Sequence, residues 1–188
     1  MTKDRYPLCG IDEAGRGPLA GDLVIAGVVL LSPIDGLDDS KKLSEKRREE
    51  LYEKIVASSL YHIVSFDSKT IDNDGISLCL HNGICEIMNN IKDAEYLFDG
   101  NSKFGVEGIT TMVKADLKVA EVSAASILAK VTRDRMMKRY AEIYPQYSFE
   151  KHKGYGTKLH IERVQKYGRS PIHRESFKIK ALDEPTLF

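Results

Sequence analysis

Apolar and polar positions change period several times along the chain, and the changes outline its elements. Tyr6 to Asp12 is a short apolar run that stops at Gly15-Arg16-Gly17-Pro18, and Leu23 to Leu31 is a longer run rich in Val and Ile. Such runs, bounded by glycine and proline, predict two strands, and the short glycine-bearing link between them predicts an antiparallel pair. Ser44 then stands as the N-cap of a charged helix whose apolar stripe is Leu51, Ile55 and Val56 with Tyr52 beside them. Tyr61 to Phe66 predicts a further strand. From about Asp74 to Ile91 the spacing of Leu80, Ile84, Ile87 and Ile91 predicts a second helix.

Two more strands are expected at Glu95–Phe98 and Ile109–Val113, then a long helix over Ser123–Tyr144 carrying Ile127, Leu128, Val131 and Met136, and a shorter one over Thr157–Tyr167. Strands first in a run and then alternating with helices predict an α/β fold, a mixed sheet flanked by helices. At 188 residues the chain is expected to form one domain, 1–188, with a helical C-terminal part from about residue 130.

Composition narrows the class of partner. Hydrophobic residues make up 42% and charged residues 30%, which excludes a disordered or fibrous chain. Leu23 to Leu31 is the longest apolar stretch, well short of the roughly 18–20 residues that span a bilayer, and the start has no apolar signal core. Cys9, Cys79 and Cys85 are odd in number with no CxxC pair, so reduced thiols in a cytoplasmic protein are expected. The net charge of zero conceals an asymmetry: residues 1–129 hold 14 Lys+Arg against 21 Asp+Glu, and residues 130–188 hold 14 against 7. A basic C-terminal part suits either a polyanion or a solvated helix face.

The candidate chemistry is acidic. Asp12 and Glu13 sit where the first strand breaks into glycines, Asp99 ends the Tyr96-Leu97-Phe98 run, and Asp116 follows Met112-Val113 after two residues. Adjacent strand residues point to opposite faces, so Asp12 and Glu13 reach one site only if the strand bends there. Each acid alone reads as a turn residue. Brought side by side, they make an all-oxygen pocket suited to hard ions such as Mg²⁺ or Mn²⁺. Two ions about 3.5–4 Å apart would clamp the attacking and leaving oxygens of a phosphoryl displacement.

Gly10-Ile11-Asp12-Glu13-Ala14-Gly15-Arg16-Gly17-Pro18-Leu19-Ala20-Gly21 closely resembles the signature of type 2 ribonuclease H, the bacterial ribonuclease HII family. The resemblance continues in order through Asp39-Ser40-Lys41-Lys42-Leu43-Ser44, Asp99-Gly100-Asn101, Asp116 with Ser123 to Lys130, Lys153-Gly154-Tyr155-Gly156-Thr157, and Ser170-Pro171-Ile172-His173-Arg174 with Ser176-Phe177. It implies a ribonuclease H-like fold and a monomeric endonuclease that cuts RNA in RNA–DNA hybrids and on the 5′ side of ribonucleotides embedded in duplex DNA. The products would be a 3′-hydroxyl and a 5′-phosphate, as in ribonucleotide excision repair and primer removal.

By position, Asp12, Glu13, Asp99 and Asp116 would be catalytic and hold two divalent ions. Gly15-Arg16-Gly17 would read the 2′-hydroxyl, and Tyr155 would pack on the sugar 3′ of the ribonucleotide. Lys41, Lys42 and Ser123 would contact phosphates. Two departures stand out. Asp22 replaces a common proline and is expected to add charge near the metal pocket; Gly156 replaces another and is expected to loosen the tyrosine loop.

Rival readings remain distinguishable. The related type 3 enzymes carry an added N-terminal domain and Glu at the fourth acidic position, where this chain has Asp116. A non-catalytic nucleic-acid-binding module would keep the basic residues but has no need of clustered acids. His152, His160 and His173 match no metal spacing and read as solvated or phosphate-contacting. The terminal Leu187 and Phe188 read as a tail tucked onto the core or, alternatively, as a sliding-clamp peptide.

Overall fold

The computed structural model describes residues 7–37 and 43–183. Its centre is a five-stranded sheet in the order β3-β2-β1-β4-β5. β1 (Leu8–Ala14) pairs antiparallel with β2 (Leu23–Leu30), and β2 with β3 (Ser59–Phe66). On its other side β1 runs parallel to β4 (Glu95–Asp99), which runs parallel to β5 (Ile109–Met112). The mixed sheet and the first antiparallel pair agree with expectation.

The long apolar run of β2 has a reason: both of its faces are covered. Leu23, Ile25 and Val29 face a core shared with Leu80, Ile84 and Ile87 of α2 (Ser68–Asn90). Val24, Ala26 and Val28 face the opposite core, with Leu51 and Ile55 of α1 (Glu45–Ser58) and Ala124, Ala125, Ile127 and Leu128 of α3 (Ala120–Ile143). Ser44 caps α1 by accepting from the Arg47 N–H, as its position predicts.

α2 begins earlier than its hydrophobic spacing suggests. Asp67 accepts from the Thr70 N–H and starts the helix at Ser68, and Gly75, at φ 79°, kinks it at the point where the apolar period begins. A third core gathers Ala20, Met137, Tyr147, Phe149, Val164 and Ile172 under the C-terminal part, which includes α4 (Phe149–His152), α5 (Lys158–Tyr167) and α6 (Lys180–Asp183).

α3 lies unusually close to β1. A Cβ on Gly10 would stand 2.3 Å from the backbone of Glu121 and Val122, so only glycine permits the approach. From there helix and strand run in the same direction. Asp12 meets Ser126, Lys130 lines the same cleft as Ala14, and Gly15 meets Arg133. Val122, Ser126, Lys130 and Arg133 thus form one helical stripe laid along β1 and the turn that follows it.

Candidate active site

Parallel pairing of β1 with β4 sets Ile11 opposite Phe98, which leaves Asp12 and Asp99 as the next residues at the same end of the sheet. Asp116 arrives differently from a strand end. β5 stops at Met112, and Asp116 sits in a 3-10 turn, Ala115–Leu117, entered through Lys114 in the left-handed region. That turn is tied to the site because the Ala115 N–H donates to Asp99 Oδ1 (2.8 Å). The result brings one carboxylate oxygen each from Asp12, Asp99 and Asp116 within 4.8 Å of one another.

Burial pushes the Asp12 carboxyl well above the usual carboxylate range, and the charges of Glu13 and Asp99 push it further; hydrogen bonds from the Glu13 N–H and Ser126 oppose this only in part. A divalent cation reverses that balance, since it favours the ionised form of every carboxylate around it. An all-oxygen set on this spacing fits a hard divalent ion, and Asp12, Asp99 and Asp116 would hold it.

Glu13 stands outside this triad. It lines the same cleft, but its Oε1 pairs with Arg16 Nη2 at 2.7 Å. Arg16 also lies over the Phe104 ring, 5.4 Å from its centroid. The cleft is lined further by Gly15, Gly17, Asp99, Ser126, Lys130 and Tyr155. Asp12, Glu13, Asp99, the Gly-Arg-Gly turn and Tyr155, far apart in sequence, therefore share one cavity. Ser123 lies elsewhere, in an adjoining groove with Asp116 and the 34–37 loop. Lys41, Lys42, Leu187 and Phe188 lie outside the described residues.

Two side chains missed by the sequence reading hold the cleft's rim. Arg133 and Arg174 are 1% and 0% exposed, so two of the C-terminal basic residues are internal. Arg174 donates to the carbonyls of Gly15 (2.6 Å), Arg16 (3.2 Å) and Gly21 (2.8 and 3.0 Å). Arg133 donates to the carbonyls of Ala20, Asp22 and Lys153, and its guanidinium lies 5.7 Å from the Tyr155 ring centroid. Together they tie the back of the Gly-Arg-Gly turn to the tyrosine loop. Gly15, at φ 100°, would press any Cβ to 2.3 Å from Arg133 Nε, so the fold itself demands glycine there. Burial pulls the Arg174 value down to about 10, which leaves it charged at neutral pH.

Two expectations are corrected here. The histidines are not solvated: His152, His160 and His173 are buried, with His152 stacked on His160 at 4.2 Å and His160 Nε2 3.0 Å from His173 Nε2. Aromatic neighbours Tyr147 and Phe149 enclose them, and no local pattern in the sequence marks that enclosure. Asp22 does not line the cleft; its buried carboxylate accepts from the Tyr140 hydroxyl (2.9 Å). The tyrosine loop around Gly156 is tied by Tyr155 N–H to the His152 carbonyl (2.9 Å) and Thr157 N–H to the Tyr155 carbonyl (2.8 Å).

Comparison with known proteins agrees with this arrangement. The family model described as Ribonuclease HII matches residues 9–180. The ribonuclease HII of Sulfurovum sp. is 66% identical over 188 residues, all of both chains. Among solved structures, the ribonuclease HII of Archaeoglobus fulgidus, in a complex with PCNA, superposes with a TM-score of 0.79 at 29% identity, covering 92% of this chain and 96% of that one. The ribonuclease H2 of Pyrococcus horikoshii gives 0.75 at 29% identity, covering 91% and 93%. With the family matched across nearly its whole length and Asp12, Asp99 and Asp116 gathered within reach of one ion, the chain belongs to the ribonuclease HII family and is a metal-dependent hydrolase of the ribonuclease H type.

Proposed function

We propose that this enzyme cuts the RNA strand of RNA–DNA hybrids and the 5′ side of single ribonucleotides in duplex DNA, leaving a 3′-hydroxyl and a 5′-phosphate. One observation carries the reading: Asp12, Glu13 and Asp99 line one cavity with the Gly-Arg-Gly turn and Tyr155, and Asp116, in the adjoining groove, brings a carboxylate oxygen within 4.8 Å of those of Asp12 and Asp99. Asp12, Asp99 and Asp116, with Glu13 at the edge, hold two Mg²⁺ or Mn²⁺ ions. When bound, such ions supply charge stabilisation for the attacking and leaving oxygens of an in-line displacement.

The remaining work falls to the protein. Asp12 and Asp99, on adjacent parallel strands, place their carboxylates on a rigid frame, and the Ala115 N–H fixes the orientation of Asp99. Gly17 has no crowded neighbour and no positive φ, so nothing within the described fold calls for glycine; its bare backbone suits the close approach of a sugar and its 2′-hydroxyl. Tyr155, 44% exposed over the same cleft, offers a ring face to the next sugar. Lys41, Lys42 and Ser123 contact phosphates of the substrate.

A duplex carrying one ribonucleotide, incubated with Mg²⁺, Mn²⁺ or EDTA beside Asp99→Asn, tests this. A metal-dependent cut 5′ of the ribonucleotide, abolished by the substitution, is expected. Cutting of long hybrids alone removes the role of Tyr155, and binding without cutting turns the reading into a nucleic-acid-binding module. The enzyme acts as a cytoplasmic monomer in ribonucleotide excision and primer removal; no helix among the described residues is long and apolar enough to cross a membrane. The PCNA complex of the Archaeoglobus relative favours a second reading, clamp contact through Leu187 and Phe188. Clamp binding undiminished by their deletion excludes it.

A further inference from the structure

The buried histidines have no part in the reaction as described, yet every lone pair and N–H they carry is accounted for. The Ser170 N–H donates to His173 Nδ1 (2.8 Å), which makes that nitrogen an acceptor and places the His173 proton on Nε2. His160 Nδ1 lies 3.0 Å from the Tyr155 carbonyl, an acceptor only, so the His160 proton is on Nδ1 and its Nε2 accepts. His173 Nε2–H therefore donates to His160 Nε2 across the 3.0 Å between them. His152 is spent in the same way, accepting from the Gly154 N–H at Nδ1 (3.2 Å) and donating from Nε2 to the Tyr147 carbonyl (2.9 Å). No lone pair is left for a metal. The three rings are neutral, and the direction of each bond is set by backbone groups.

The placement of His173 gives the arrangement a purpose. It bridges antiparallel to Ala20, just past the Gly-Arg-Gly turn, flanked by Gly21 N–H to the Ile172 carbonyl (2.8 Å) and Arg174 N–H to the Leu19 carbonyl (2.9 Å). The next residue, Arg174, holds the carbonyls of Gly15 and Arg16. Consecutive residues of one short segment thus reach the turn on one side and, through His160, the Tyr155 backbone on the other.

We propose that His173 and His160 are positioning residues for Tyr155: their imidazoles form a one-directional hydrogen-bonded relay that sets the Tyr155 loop at a fixed distance from the Gly15–Gly17 turn, and so gauges the step from ribonucleotide to deoxyribonucleotide. The relay rests on the reading of Tyr155 given above. It acts on recognition of the junction, leaving the acidic triad untouched.

The test compares kcat/KM on a duplex with one ribonucleotide and on a long RNA–DNA hybrid, for Tyr155→Ala, His173→Phe, His173→Gln and the double variant Tyr155→Ala/His173→Phe. His173→Phe keeps the ring but loses the donor, and is expected to lower activity on the single ribonucleotide about tenfold, with the hybrid changed by less than about threefold. His173→Gln, whose amide can donate in place of Nε2–H, should restore most of that loss. In the double variant the two losses should not multiply. Equal losses on both substrates, or multiplying losses, overturn the relay. Tyr155→Ala without loss of preference for the single ribonucleotide overturns the reading of Tyr155 itself, whereas loss there but not in His173→Phe overturns the relay alone. Should His173→Phe fail to fold, imidazole ¹⁵N spectra of the unaltered enzyme decide: His173 protonated on Nε2 and His160 on Nδ1 is expected, and any other tautomer pair refutes the relay.

Discussion

The two walls of the cleft solve opposite electrostatic problems. On the sheet side, Asp12, Asp99 and Asp116 crowd together and burial drives Asp12 towards its neutral form. On the C-terminal side, Arg133 and Arg174 are buried cations that donate their hydrogen bonds to backbone carbonyls, and the histidines are buried neutral rings bonded in sequence. One wall depends on ions from solution for its balance, and the other supplies its own partners. The first gains from a ligand and the second holds a shape, which is the difference that the proposed division into a catalytic wall and a recognition wall requires.

The sharpest way to break that contrast is Asp12→Asn. Activity should fall at least about 1000-fold, roughly 4 kcal/mol in the barrier, because the proposed metal site loses one of its carboxylates. Metal-free stability should nevertheless rise, since the amide removes a desolvated charge repelled by Glu13 and Asp99. Urea unfolding in EDTA measures this, and a destabilised apo variant would mean that the acids are not in conflict.

Arg174→Met probes the opposite wall. It strands the buried carbonyls of Gly15 and Gly21 and removes the part-buried bond to the Arg16 carbonyl, so a loss of about 3–5 kcal/mol in stability is expected whether or not metal is present. Metal should protect the wild-type enzyme and this variant by similar increments in a melting experiment, because the triad is not in contact with the change.

The two walls are not equally legible in the sequence. Strands, caps and acids announce themselves through period and punctuation, so the residue pattern alone places Asp12 and Asp99 at strand ends. Ser126 and Lys130 are within its reach as well, four and eight residues beyond Val122 on the stripe that follows β1. Asp67, which looks locally like the site acids, is a helix cap, and only the chain beyond the Gly75 kink carries the helical period. Arg133, Arg174 and the histidines carry no such mark. A basic or imidazole side chain reads as solvated until tertiary structure folds carbonyls around it, and the carbonyls that do so come from residues up to 159 positions away.

Acid separates the walls next. His160 and His173 are both held at about 4, chiefly by burial, below the free imidazole value of about 6.5. The unfolded chain therefore takes up protons first, and their contribution to stability is lost as pH falls from about 6.5 towards 4, on the order of 3 kcal/mol for each ring. Asp12 moves the other way, because a raised carboxyl costs less once protonated. In the Asp12→Asn background the acid-side relief is gone, so the fall in urea midpoint between pH 7 and pH 4.5 should steepen. Adding His173→Gln should flatten it by about one proton.

Asp22→Asn is the smallest and most discriminating change. Asp22 lies between the walls: its carbonyl accepts from Arg133 at 2.8 Å and its side chain from the Tyr140 hydroxyl at 2.9 Å. Burial raises its carboxyl above the usual range despite that hydrogen bond and the charges of Arg133 and Arg174. An asparagine retains a carbonyl oxygen for Tyr140 and leaves the backbone contact to Arg133 unchanged, while ending the cost of a buried charge at neutral pH. Stability should shift by no more than about 1 kcal/mol, in the stabilising direction at pH 7, and the gain should vanish below about pH 4, where the unfolded carboxyl is protonated too. Because the side chain does not line the cleft, metal dependence and the site of cutting should be those of the wild type. A changed metal requirement would mean that the field of Asp22 reaches the triad after all, and that the two walls are electrically one.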